Sequence, residues 1–479
     1  MISFMLNKQR IDITSIPTDL TVLEYLREHQ SLCGTKEGCA SGDCGACTVA
    51  LVEPNKEGTD LTYRAINSCI TFMSTLHGKQ LITVDHLSSN QTLHPVQKAL
   101  VDNHASQCGF CTPGFVMSLF VFYHQQKLLD RHNLELALSG NLCRCTGYRP
   151  IIDAAKQACS DKFDDHYDHD KSITLGTLMS TAKNEVSIPG LVAPTSLQQL
   201  ADTLKAHPDG RLFSGSTDLA LEVTQQNRTL PCLIDLKRVP ELNCLRLTAE
   251  VLEIGAALPF ADIEDVLLTQ FPQLNELFWR FASVPIRHQA TLGGNVANAS
   301  PIGDMPPVLL ALNAKILVGN GTETRLIPAN SFFIDYRKTA LAKGEFIQSI
   351  QIPLLPNHVH LRAYKISKRM EDDISAVCAV FNVQIENGLI TAISTGFGGV
   401  AAIPMFASEL NEKLLGLQWH ESATMTLGKE ILSRAFSPID DVRASAEYRT
   451  NMVMNLWHRF WLETNSDLQA VQTRVKQHA

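Results

Sequence analysis

The sequence lacks an apolar run long enough to cross a bilayer. Its most apolar stretch, residues 115–123, is far short of the roughly 20 residues that a membrane-spanning helix needs. The opening residues, MISFMLNKQRIDI, have no basic segment followed by an apolar core and a small-residue cleavage site, so they do not match a secretory signal. They predict a strand, a turn and a strand. We therefore expect a soluble cytoplasmic protein with no membrane partner.

A basic surface stripe is also missing. The chain has 41 basic and 49 acidic side chains and a formal charge of -8, which argues against a nucleic-acid partner. Two loops rich in small residues, 213–218 and 291–304, fit neither G-x-G-x-x-G nor a phosphate-binding loop with its lysine. Glycines among Ser, Thr and Asn can instead form nests of N–H donors for a pyrophosphate, although such loops are more often simple turns.

Cysteine, by contrast, is abundant, and eight of the 13 form two quartets. The quartets are Cys39-x4-Cys44-x2-Cys47-x21-Cys69 and Cys108-x2-Cys111-x31-Cys143-x1-Cys145. The first spacing is that of plant-type ferredoxins and predicts a 2Fe-2S cluster. Gly38, Gly42 and Gly45 lie between its cysteines, where they let the backbone wrap closely and turn its N–H groups toward sulfur. Structural zinc sites favour paired knuckles and do not require these glycines.

The second quartet is less decisive, because C-x2-C with C-x-C is also compatible with a zinc tetrahedron. Each of its cysteine pairs precedes a predicted helix, marked by Pro113 and Pro150. Helix N-termini favour anionic thiolates. The other five cysteines are expected to be small buried residues; they are Cys33, Cys159, Cys232, Cys244 and Cys378.

The length of 479 residues suggests about three domains at roughly 150 residues each. Residues 1–87 have the strand and helix order of a ferredoxin-like β-grasp fold, with the helix at 21–29, and residues 88–160 have helical periodicity. We interpret the polar segment 161–185 as a linker. Its His166 and His169, among several aspartates, are interpreted as a solvated charge run rather than a metal site.

Three runs of residues, 34–48, 107–114 and 140–150, resemble the iron-sulfur half of the xanthine dehydrogenase (molybdenum hydroxylase) family. Three later runs, 291–304, 332–339 and 365–374, are similar to its FAD domain. The resemblance implies an α+β multidomain protein. It adds a four-helix iron-sulfur domain at 88–160 that holds a second 2Fe-2S cluster, an α+β FAD-binding domain of the PCMH (vanillyl-alcohol-oxidase-like) type at 186–365, and a C-terminal α+β domain at 366–479.

The same resemblance assigns residues to FAD. They are Leu212, Phe213, Ser214, Gly215, Ser216, Thr217, Asp218, Leu219, Phe281, Gly294, Asn295, Asn298, Asp304, Ile347 and Lys365. Ser216 stands where the family often has Gly, Ala or Asn. Arg369 and Asp372 would tune the flavin or NAD access, unless they form an ordinary exposed ion pair. Gln107 would reach the pterin of a partner subunit, unless it is a solvated loop glutamine.

The function implied by the resemblance is that of an electron-transfer subunit. Electrons would pass from a partner's molybdenum cofactor to the Cys108 cluster, the Cys39 cluster, FAD and finally NAD, during oxidation of hypoxanthine or xanthine to urate. The sequence stops at Ala479, where larger family members continue into a molybdopterin portion, so we expect a separate large subunit in a heterotetramer or higher assembly. The alternatives are the same subunit of an aldehyde or N-heterocycle dehydrogenase, a zinc-stabilised adaptor, or an iron-sulfur redox sensor.

Overall fold

The structure is a computed structural model that describes residues 1–89, 91–125, 127–160, 164–356, 358–465 and Thr473. Two compact units make up the chain. Unit 1 comprises Met1–Val239, Pro259–Ala261 and Ala282–Ala290, and unit 2 comprises Pro240–Leu258, Asp262–Phe281 and Thr291–Ala479. Among the helices of the described residues, none combines the length and the apolar character that a bilayer crossing demands.

Strands and helices are interspersed along the whole chain. The strands are β1 (Ile2–Leu6), β2 (Gln9–Ile13), β3 (Thr48–Pro54), β4 (Leu61–Asn67), β5 (Gln80–Ile82), β6 (Leu191–Val192), β7 (Arg211–Phe213), β8 (Leu233–Asp235), β9 (Leu245–Leu247), β10 (Val251–Gly255), β11 (Lys315–Gly319), β12 (Thr324–Pro328), β13 (Phe333–Asp335), β14 (Lys338–Thr339), β15 (Phe346–Pro353), β16 (Val359–Ile366), β17 (Val377–Glu386) and β18 (Leu389–Gly398). The helices are α1 (Val22–Glu24), α2 (Pro95–Asp102), α3 (Thr112–Gln125), α4 (Arg131–Leu138), α5 (Arg149–Ser160), α6 (His166–His169), α7 (Lys171–Ala182), α8 (Leu197–Ala206), α9 (Ala220–Thr224), α10 (Phe260–Gln270), α11 (Asn275–Arg280), α12 (Val284–Arg287), α13 (Leu292–Ala297), α14 (Met305–Ala311), α15 (Ser408–Lys413), α16 (Ser422–Ser433) and α17 (Ala446–Thr464).

The N-terminal sheet of unit 1 has the strand order β2-β1-β5-β3-β4. Strands β1 and β5 are parallel, and the other neighbours are antiparallel. The predicted helix begins at Val22, where the Thr21 side chain accepts a hydrogen bond from the Glu24 N–H, and it continues as a π-helix over Tyr25–His29. This mixed sheet around one short helix is the arrangement that the sequence pattern predicted.

Helices α2 to α5 form the helical part of unit 1. Pro95 occupies the first position of α2, and Pro113 and Pro150 occupy the second positions of α3 and α5, where a missing N–H costs no helical hydrogen bond. Helix α3 is buried from Gly114 to His124. The residues predicted from helical spacing as core are buried, as expected; they are Val116, Leu119, Phe120, Tyr123, Ile151, Ala154, Ala155 and Ala158.

The segment predicted as a linker carries helices α6 and α7 instead of irregular chain. Asp165 caps α6 through the N–H groups of Tyr167 and Asp168, and the Asp168 side chain accepts from the Asp165 N–H in return. This capping box starts a helix that has no apolar stripe, so hydrophobic periodicity did not predict it. Residues 161–163 lie outside the described residues, and the predicted domain boundaries remain predictions.

Unit 1 also contains a small parallel sheet in the order β6-β8-β7. Unit 2 has a five-stranded antiparallel sheet, β12-β11-β15-β10-β9, and a three-stranded antiparallel sheet, β16-β17-β18. Phe381 on β17 packs against Trp457 and Phe460 of α17. The described residues thus form the α+β multidomain fold expected from the sequence.

Strand β18 also holds the start of α14 close to the three-stranded sheet. A Cβ at Gly396 would lie 1.9 Å from the Pro307 carbonyl oxygen, so only glycine permits this approach. Asp304, directly before α14, is thereby placed over β16 and β17. This contact positions one of the predicted cofactor residues.

Candidate functional site

The first cysteine quartet converges in unit 1. Cys47 and Cys69 are buried, and their Sγ atoms are 3.3 Å apart. The Cys39 Sγ accepts hydrogen bonds from the N–H groups of Ser41, Asp43 and Cys44 at 3.3–3.4 Å. The loop therefore turns its N–H groups toward sulfur, which stabilises negative charge on a cluster ligand.

Close backbone packing explains the glycines of this loop. A Cβ at Gly38 would lie 2.7 Å from the Cys44 Sγ. Gly45 has φ +70°, and a Cβ there would lie 2.3 Å from the Gly140 carbonyl oxygen. Neither position can take a larger residue without moving its neighbours. The loop is therefore shaped around the cysteine sulfurs.

Hydrogen bonds between thiols of the first quartet shift the pKa values of Cys39 and Cys44 in opposite directions. Hydrogen bonds from the Cys44 thiol, then from the Cys69 thiol, hold the pKa of Cys39 far below its usual value. The hydrogen bond to Cys39, followed by burial, raises the pKa of Cys44. Sulfurs at this spacing favour a form in which some of them are thiolates, the form that binds iron. The donor set and its geometry fit a 2Fe-2S cluster.

The second quartet is also assembled in unit 1, in a more open setting. Cys108 and Cys145 are exposed, with their Sγ atoms 3.7 Å apart, and Cys111 and Cys143 are half-buried. Both the N–H and the hydroxyl of Thr146 donate to the Cys143 Sγ, at 3.4 and 3.2 Å.

These hydrogen bonds and burial act on the thiols of the second quartet. Burial raises the pKa of Cys143, but the hydrogen bonds from Thr146 outweigh it and lower the pKa. Burial, followed by the hydrogen bond with Cys143, raises the pKa of Cys111 to about 12. As predicted, one cysteine pair precedes α3 and the other precedes α5.

Main-chain and side-chain hydrogen bonds join the segments that carry the two quartets. The Leu142 N–H, next to Cys143, donates to the Cys44 carbonyl oxygen at 3.0 Å. The Asn141 side chain, buried at 4% exposure, donates to the Gly45 carbonyl oxygen at 3.1 Å and accepts from the Ser118 hydroxyl at 2.6 Å. The segments that carry the two quartets are therefore connected by one hydrogen-bond network.

The burial predicted for the five remaining cysteines needs correction, whereas the prediction for Gln107 does not. Of the five cysteines expected to be buried, only Cys378 is; Cys33 is exposed, and Cys159, Cys232 and Cys244 are half-buried. Cys33 lies in the turn after the π-helix, where its carbonyl oxygen accepts from the Lys36 side chain. Gln107 is exposed, which is compatible with both of its interpretations, so its role remains a prediction.

Sequence reasoning missed a buried cluster of His94, His124 and Asp165 in unit 1. The Asp165 Oδ2 lies 2.9 Å from the His94 Nε2 and 3.0 Å from the His124 Nε2. The His124 Nδ1 is 3.4 Å from Asp168, and its ring stacks on Tyr63. Burial alone would lower the pKa of His124, but Asp165 and Asp168 outweigh it and raise the pKa. The three members are far apart in sequence, so no local pattern indicated them.

Three ligand atoms of this cluster lie within 4.8 Å of one another, a spacing that a metal ion could use. The His94 Nδ1, however, accepts a hydrogen bond from the Val96 N–H at 3.2 Å. Neutral imidazole with an acceptor at Nδ1 carries its proton on Nε2, which then donates to Asp165. The geometry favours a hydrogen-bonded network over a metal site. The predicted charge run at His166 and His169 does not contribute ring atoms to it.

The predicted FAD residues of unit 1, 212–219, comprise the last two residues of β7 and the loop from β7 to α9. Gly215 is tightly placed, because a Cβ there would lie 2.0 Å from the Gln289 carbonyl oxygen. Ser216 has φ +59°, and its hydroxyl donates to the Ile70 carbonyl oxygen at 3.0 Å. The left-handed backbone favours glycine or asparagine, two of the three residues that the resemblance implies at this position.

Unit 2 contains the other predicted FAD residues. Thr291 caps α13 by accepting from the Gly294 N–H at 2.9 Å. A Cβ at Gly293 would lie 2.4 Å from the Ala256 carbonyl oxygen, so the helix start needs glycine there. The Asn295 Oδ1 is buried without a hydrogen-bond partner among the described residues. A buried orphan acceptor is costly, and a hydrogen-bond donor on a cofactor would satisfy it. Asn298 directly follows α13.

Asp304 and Lys365 form a buried ion pair in unit 2. The Lys365 Nζ lies 2.6 Å from the Asp304 Oδ2, and the two side chains are 2% and 7% exposed. Ser375, which the sequence did not indicate, contacts both of them. A buried charge pair contributes little net stability, so this pair is a candidate for binding a ligand. Its donor and acceptor groups fit the polar parts of a flavin nucleotide.

The two apolar residues predicted for FAD also lie in unit 2. Phe281 follows α11 and packs against Phe278, with ring centroids 5.9 Å apart. Ile347 lies on β15 beside Val318 of β11. Both are buried, at 7% and 6% exposure. They are available as apolar walls, and their contact with FAD remains a prediction.

Arg369 and Asp372 belong to the loop between β16 and β17. Arg369 donates to the Asp372 carbonyl oxygen at 2.7 Å, and its ion pair is with Asp373 instead, at 3.8 Å. Asp372 has φ +46°. Arg280 fixes the loop by donating to the Lys365 carbonyl oxygen and to the Met370 carbonyl oxygen, at 2.5 and 3.0 Å. The loop is thus held in shape, and the role of its charges remains a prediction.

Four family models match consecutive parts of the chain. Residues 4–74 match a 2Fe-2S iron-sulfur cluster binding domain, and residues 83–156 match a [2Fe-2S] binding domain. Residues 184–355 match the FAD binding domain in molybdopterin dehydrogenase, and residues 362–464 match the CO dehydrogenase flavoprotein C-terminal domain. Each cysteine of the two quartets lies inside one of the iron-sulfur matches.

Curated relatives decide the family. The xanthine dehydrogenase of Drosophila pseudoobscura pseudoobscura is 33% identical over 473 residues, which cover 86% of this chain and 35% of the relative. The xanthine dehydrogenase of Emericella nidulans is 32% identical over 532 residues, which cover 98% of this chain and 39% of the relative. The chain belongs to the xanthine dehydrogenase (molybdenum hydroxylase) family. It corresponds to the N-terminal part of these oxidoreductases and spans less than two-fifths of their length.

Two solved structures are similar to just over half of the chain. The Cu,Mo-CO dehydrogenase in its cyanide-inactivated form matches with a TM-score of 0.53 and 25% identity, over 57% of this chain and 97% of that one. Quinoline 2-oxidoreductase from Pseudomonas putida 86 matches with a TM-score of 0.53 and 23% identity, over 59% of this chain and 99% of that one. The second likeness shows the fold alone.

Proposed function

We propose that this chain is the electron-transfer subunit of a xanthine dehydrogenase. The cofactors would be two 2Fe-2S clusters and FAD, with NAD as the electron acceptor. A separate large subunit would carry the molybdenum cofactor and oxidise hypoxanthine or xanthine to urate. The observation that carries the proposal is the assembly of both cysteine quartets in one unit, joined by the Leu142–Cys44 hydrogen bond.

When bound, the clusters supply one-electron steps, and the flavin couples them to the two-electron reduction of NAD. The residues of this chain hold and tune these groups. Cys39, Cys44, Cys47 and Cys69 would ligate one cluster, and the N–H groups directed at the Cys39 Sγ would stabilise added negative charge. Cys108, Cys111, Cys143 and Cys145 would ligate the other.

The exposure of Cys108 and Cys145 supports an order for the relay. Electrons arriving from another subunit have to enter through a cluster near the protein surface. The quartet that contains Cys108 meets this condition, while Cys47 and Cys69 are buried. We therefore place the entry at the second quartet and the exit through FAD, bound by residues that include Asn295, Asp304 and Lys365. The partner would be a molybdopterin-binding subunit, in a cytoplasmic heterotetramer or larger assembly.

The names of the relatives support xanthine over other substrates. The substrate would bind to the large subunit, so the same chain architecture would serve an aldehyde or N-heterocycle dehydrogenase. Turnover of xanthine, an aromatic aldehyde and quinoline by the complex with its molybdenum subunit, with NAD and with oxygen, separates these functions. Xanthine turnover with NAD is expected. Preference for the aldehyde or quinoline would identify the corresponding dehydrogenase instead, and preference for oxygen would contradict NAD as the electron acceptor.

The cofactor content tests the core of the proposal. Anaerobically purified chain is expected to contain about four iron atoms in two clusters, one FAD and no stoichiometric zinc. Cys39→Ser is expected to lose about half of the iron, whereas Cys33→Ser, the matched control outside the quartets, is expected to keep all of it. A colourless protein with two zinc ions and no flavin would instead establish the zinc-stabilised adaptor. Both clusters and FAD without NADH-dependent reduction of an artificial acceptor would favour the sensor.

A further inference from the structure

Ser375 completes a closed hydrogen-bonded ring with the predicted FAD residues Asp304 and Lys365. The Lys365 Nζ donates to the Asp304 Oδ2 at 2.6 Å and to the Ser375 Oγ at 2.9 Å. The Ser375 hydroxyl donates in turn to the Asp304 Oδ1 at 2.5 Å. Ser375 is only 1% exposed, so its hydroxyl bonds within the ring without competition from bulk solvent.

The ring leaves a defined donor for a ligand. A lysine ammonium has three N–H groups, and two of those of Lys365 are used by Asp304 and Ser375. Among the residues that the structure describes, no acceptor takes the third. Each carboxylate oxygen of Asp304 accepts one hydrogen bond within the ring. The donor that the ring leaves available to a ligand is therefore a single cationic N–H.

The backbone around the ring is also fixed. Lys365 lies on β16 and pairs with Cys378 of β17, whose thiol points to the Asp304 carbonyl oxygen. Arg280 holds the Lys365 carbonyl oxygen at 2.5 Å. The main chains of Lys365 and Asp304 are thus held independently of Ser375. What the serine hydroxyl controls is the orientation of the ammonium and of the carboxylate.

We propose that Ser375 is a positioning residue of the FAD site, which holds the Lys365 ammonium so that its third N–H meets an acceptor oxygen of FAD. This inference rests on the proposed function, because it requires that FAD is the ligand. The acceptor is a carbonyl oxygen of the isoalloxazine ring or an oxygen of the pyrophosphate, which are both strong acceptors. The Ser375 hydroxyl is needed to orient the Lys365 ammonium, whereas the Ser375 backbone is not.

The test compares three variants of the full-length chain: Ser375→Ala, Ser375→Thr and Ser394→Ala. The Ser394 hydroxyl donates to the Ala311 carbonyl oxygen at 2.6 Å and is buried on β18, in the sheet that also contains Lys365, so its variant controls for the loss of any buried hydroxyl. The FAD dissociation constant is measured by titrating deflavinated protein, and the flavin midpoint potential by redox titration. The iron-sulfur absorption, which arises in unit 1, shows that unit 1 has folded, and the circular dichroism and thermal unfolding of each deflavinated variant show whether unit 2 has folded as well.

Ser375→Ala is expected to bind FAD about ten-fold more weakly, Ser375→Thr to restore most of the affinity, and Ser394→Ala to match the unaltered chain. An accompanying shift of the potential to more negative values assigns the acceptor to the isoalloxazine ring, since a less well-placed cation stabilises reduced flavin less. An unchanged potential assigns it to the pyrophosphate. Equal affinity in Ser375→Ala, failure of Ser375→Thr to restore it, or the same loss in Ser394→Ala would overturn the proposal. If the unaltered chain binds no FAD, the proposed function fails instead.

Discussion

The two cysteine quartets solve one chemical problem in opposite surroundings. In the first, Cys47 and Cys69 lie in the apolar core of the β-grasp sheet, and three backbone N–H groups surround the Cys39 sulfur. In the second, Cys108 and Cys145 are exposed, and one threonine supplies the hydrogen bonds to Cys143. Four cysteines are thus brought together both in a buried and in an exposed setting. The first quartet is part of a folding core, and the second is a site placed at an accessible end of two helices.

The largest expected effect comes from removing one ligand from each quartet. Cys69→Ser is expected to lose one cluster and also to lower the free energy of unfolding by about 2–3 kcal/mol, because a hydroxyl without good partners replaces a buried sulfur. Cys145→Ser is expected to lose the other cluster with little further effect on stability, because the residue is exposed. Iron analysis, EPR of the reduced protein and chemical denaturation measure these effects. Equal destabilisation by both substitutions would contradict the comparison.

Two glycines with left-handed backbone sharpen the contrast. Gly45→Ala is expected to destabilise the protein by about 3 kcal/mol, because its Cβ would meet the Gly140 carbonyl oxygen in addition to the strained φ of +70°. Gly147, with φ +69°, has no described atom within 4 Å of a Cβ. Gly147→Ala is therefore the matched control, with an expected cost of about 1 kcal/mol from the backbone alone. Denaturation curves of both variants decide the point, and similar costs would mean that the first loop can relax around an added methyl group.

Asn141 tests whether the two quartets are structurally coupled. Asn141→Ala removes its hydrogen bonds to Gly45 and Ser118 and leaves buried partners unsatisfied, so a loss of about 2 kcal/mol is expected. Because the side chain bridges both cysteine-bearing segments, the EPR signals of both clusters are expected to change. Asn103→Ala, which removes bonds to Ala99 and Gln157 outside the quartets, is the control. A change confined to one EPR signal would show that Asn141 supports a single quartet.

The smallest effect is a pH dependence restricted to the helical part. His124 on α3 faces Asp165, Asp168 and the Tyr63 ring, and the aspartates raise its pKa. The stabilising contribution of His124 is therefore complete below about pH 6.5, the usual histidine value, and is lost as the pH rises through the raised pKa.

Asp165, the partner of His124, contributes stability with the opposite pH dependence. Burial raises the pKa of Asp165, but hydrogen bonds from His124 and His94 outweigh it and hold the pKa far below its usual value. That contribution is present above about pH 4 and is lost in stronger acid.

The measurement for this prediction is the free energy of unfolding from about pH 5 to pH 9, with His124→Gln as the comparison. The unaltered chain is expected to lose stability with rising pH more steeply than the variant. The signal of the first cluster is expected to be unaffected by the substitution. Parallel curves for the two proteins would show that His124 is not charged in the folded state.

The sequence predicts well those features that are determined by residues close together in the chain. Cysteine spacing with interleaved glycines defined the first quartet, and the helix-starting prolines lie within one residue of the observed starts. The second quartet needed the family resemblance to distinguish a cluster from zinc. Helix α6 was missed because a capping box, rather than an apolar stripe, begins it, and α7 follows it without a side-chain cap at Asp170.

Contacts between distant residues were beyond local reasoning. Ser375 joins Asp304 across 71 residues, and Asp165 joins His94 across 71 and His124 across 41. None of these pairs has a spacing that a motif would detect. Their side chains meet because the packing of sheets and helices brings them together. Single serines and histidines are too common in sequences to indicate a site. The resemblance could indicate Asp304 and Lys365, but not the hydroxyl that orients them.

The hydrogen bond between the Leu142 N–H and the Cys44 carbonyl oxygen involves no side-chain atom. Every amino acid except proline supplies the same amide, so this bond is unaffected by most substitutions at either position. The connection between the two cysteine segments is therefore set by the course of the backbone. Surface residues around the exposed cysteines can be substituted without loss of this main-chain link.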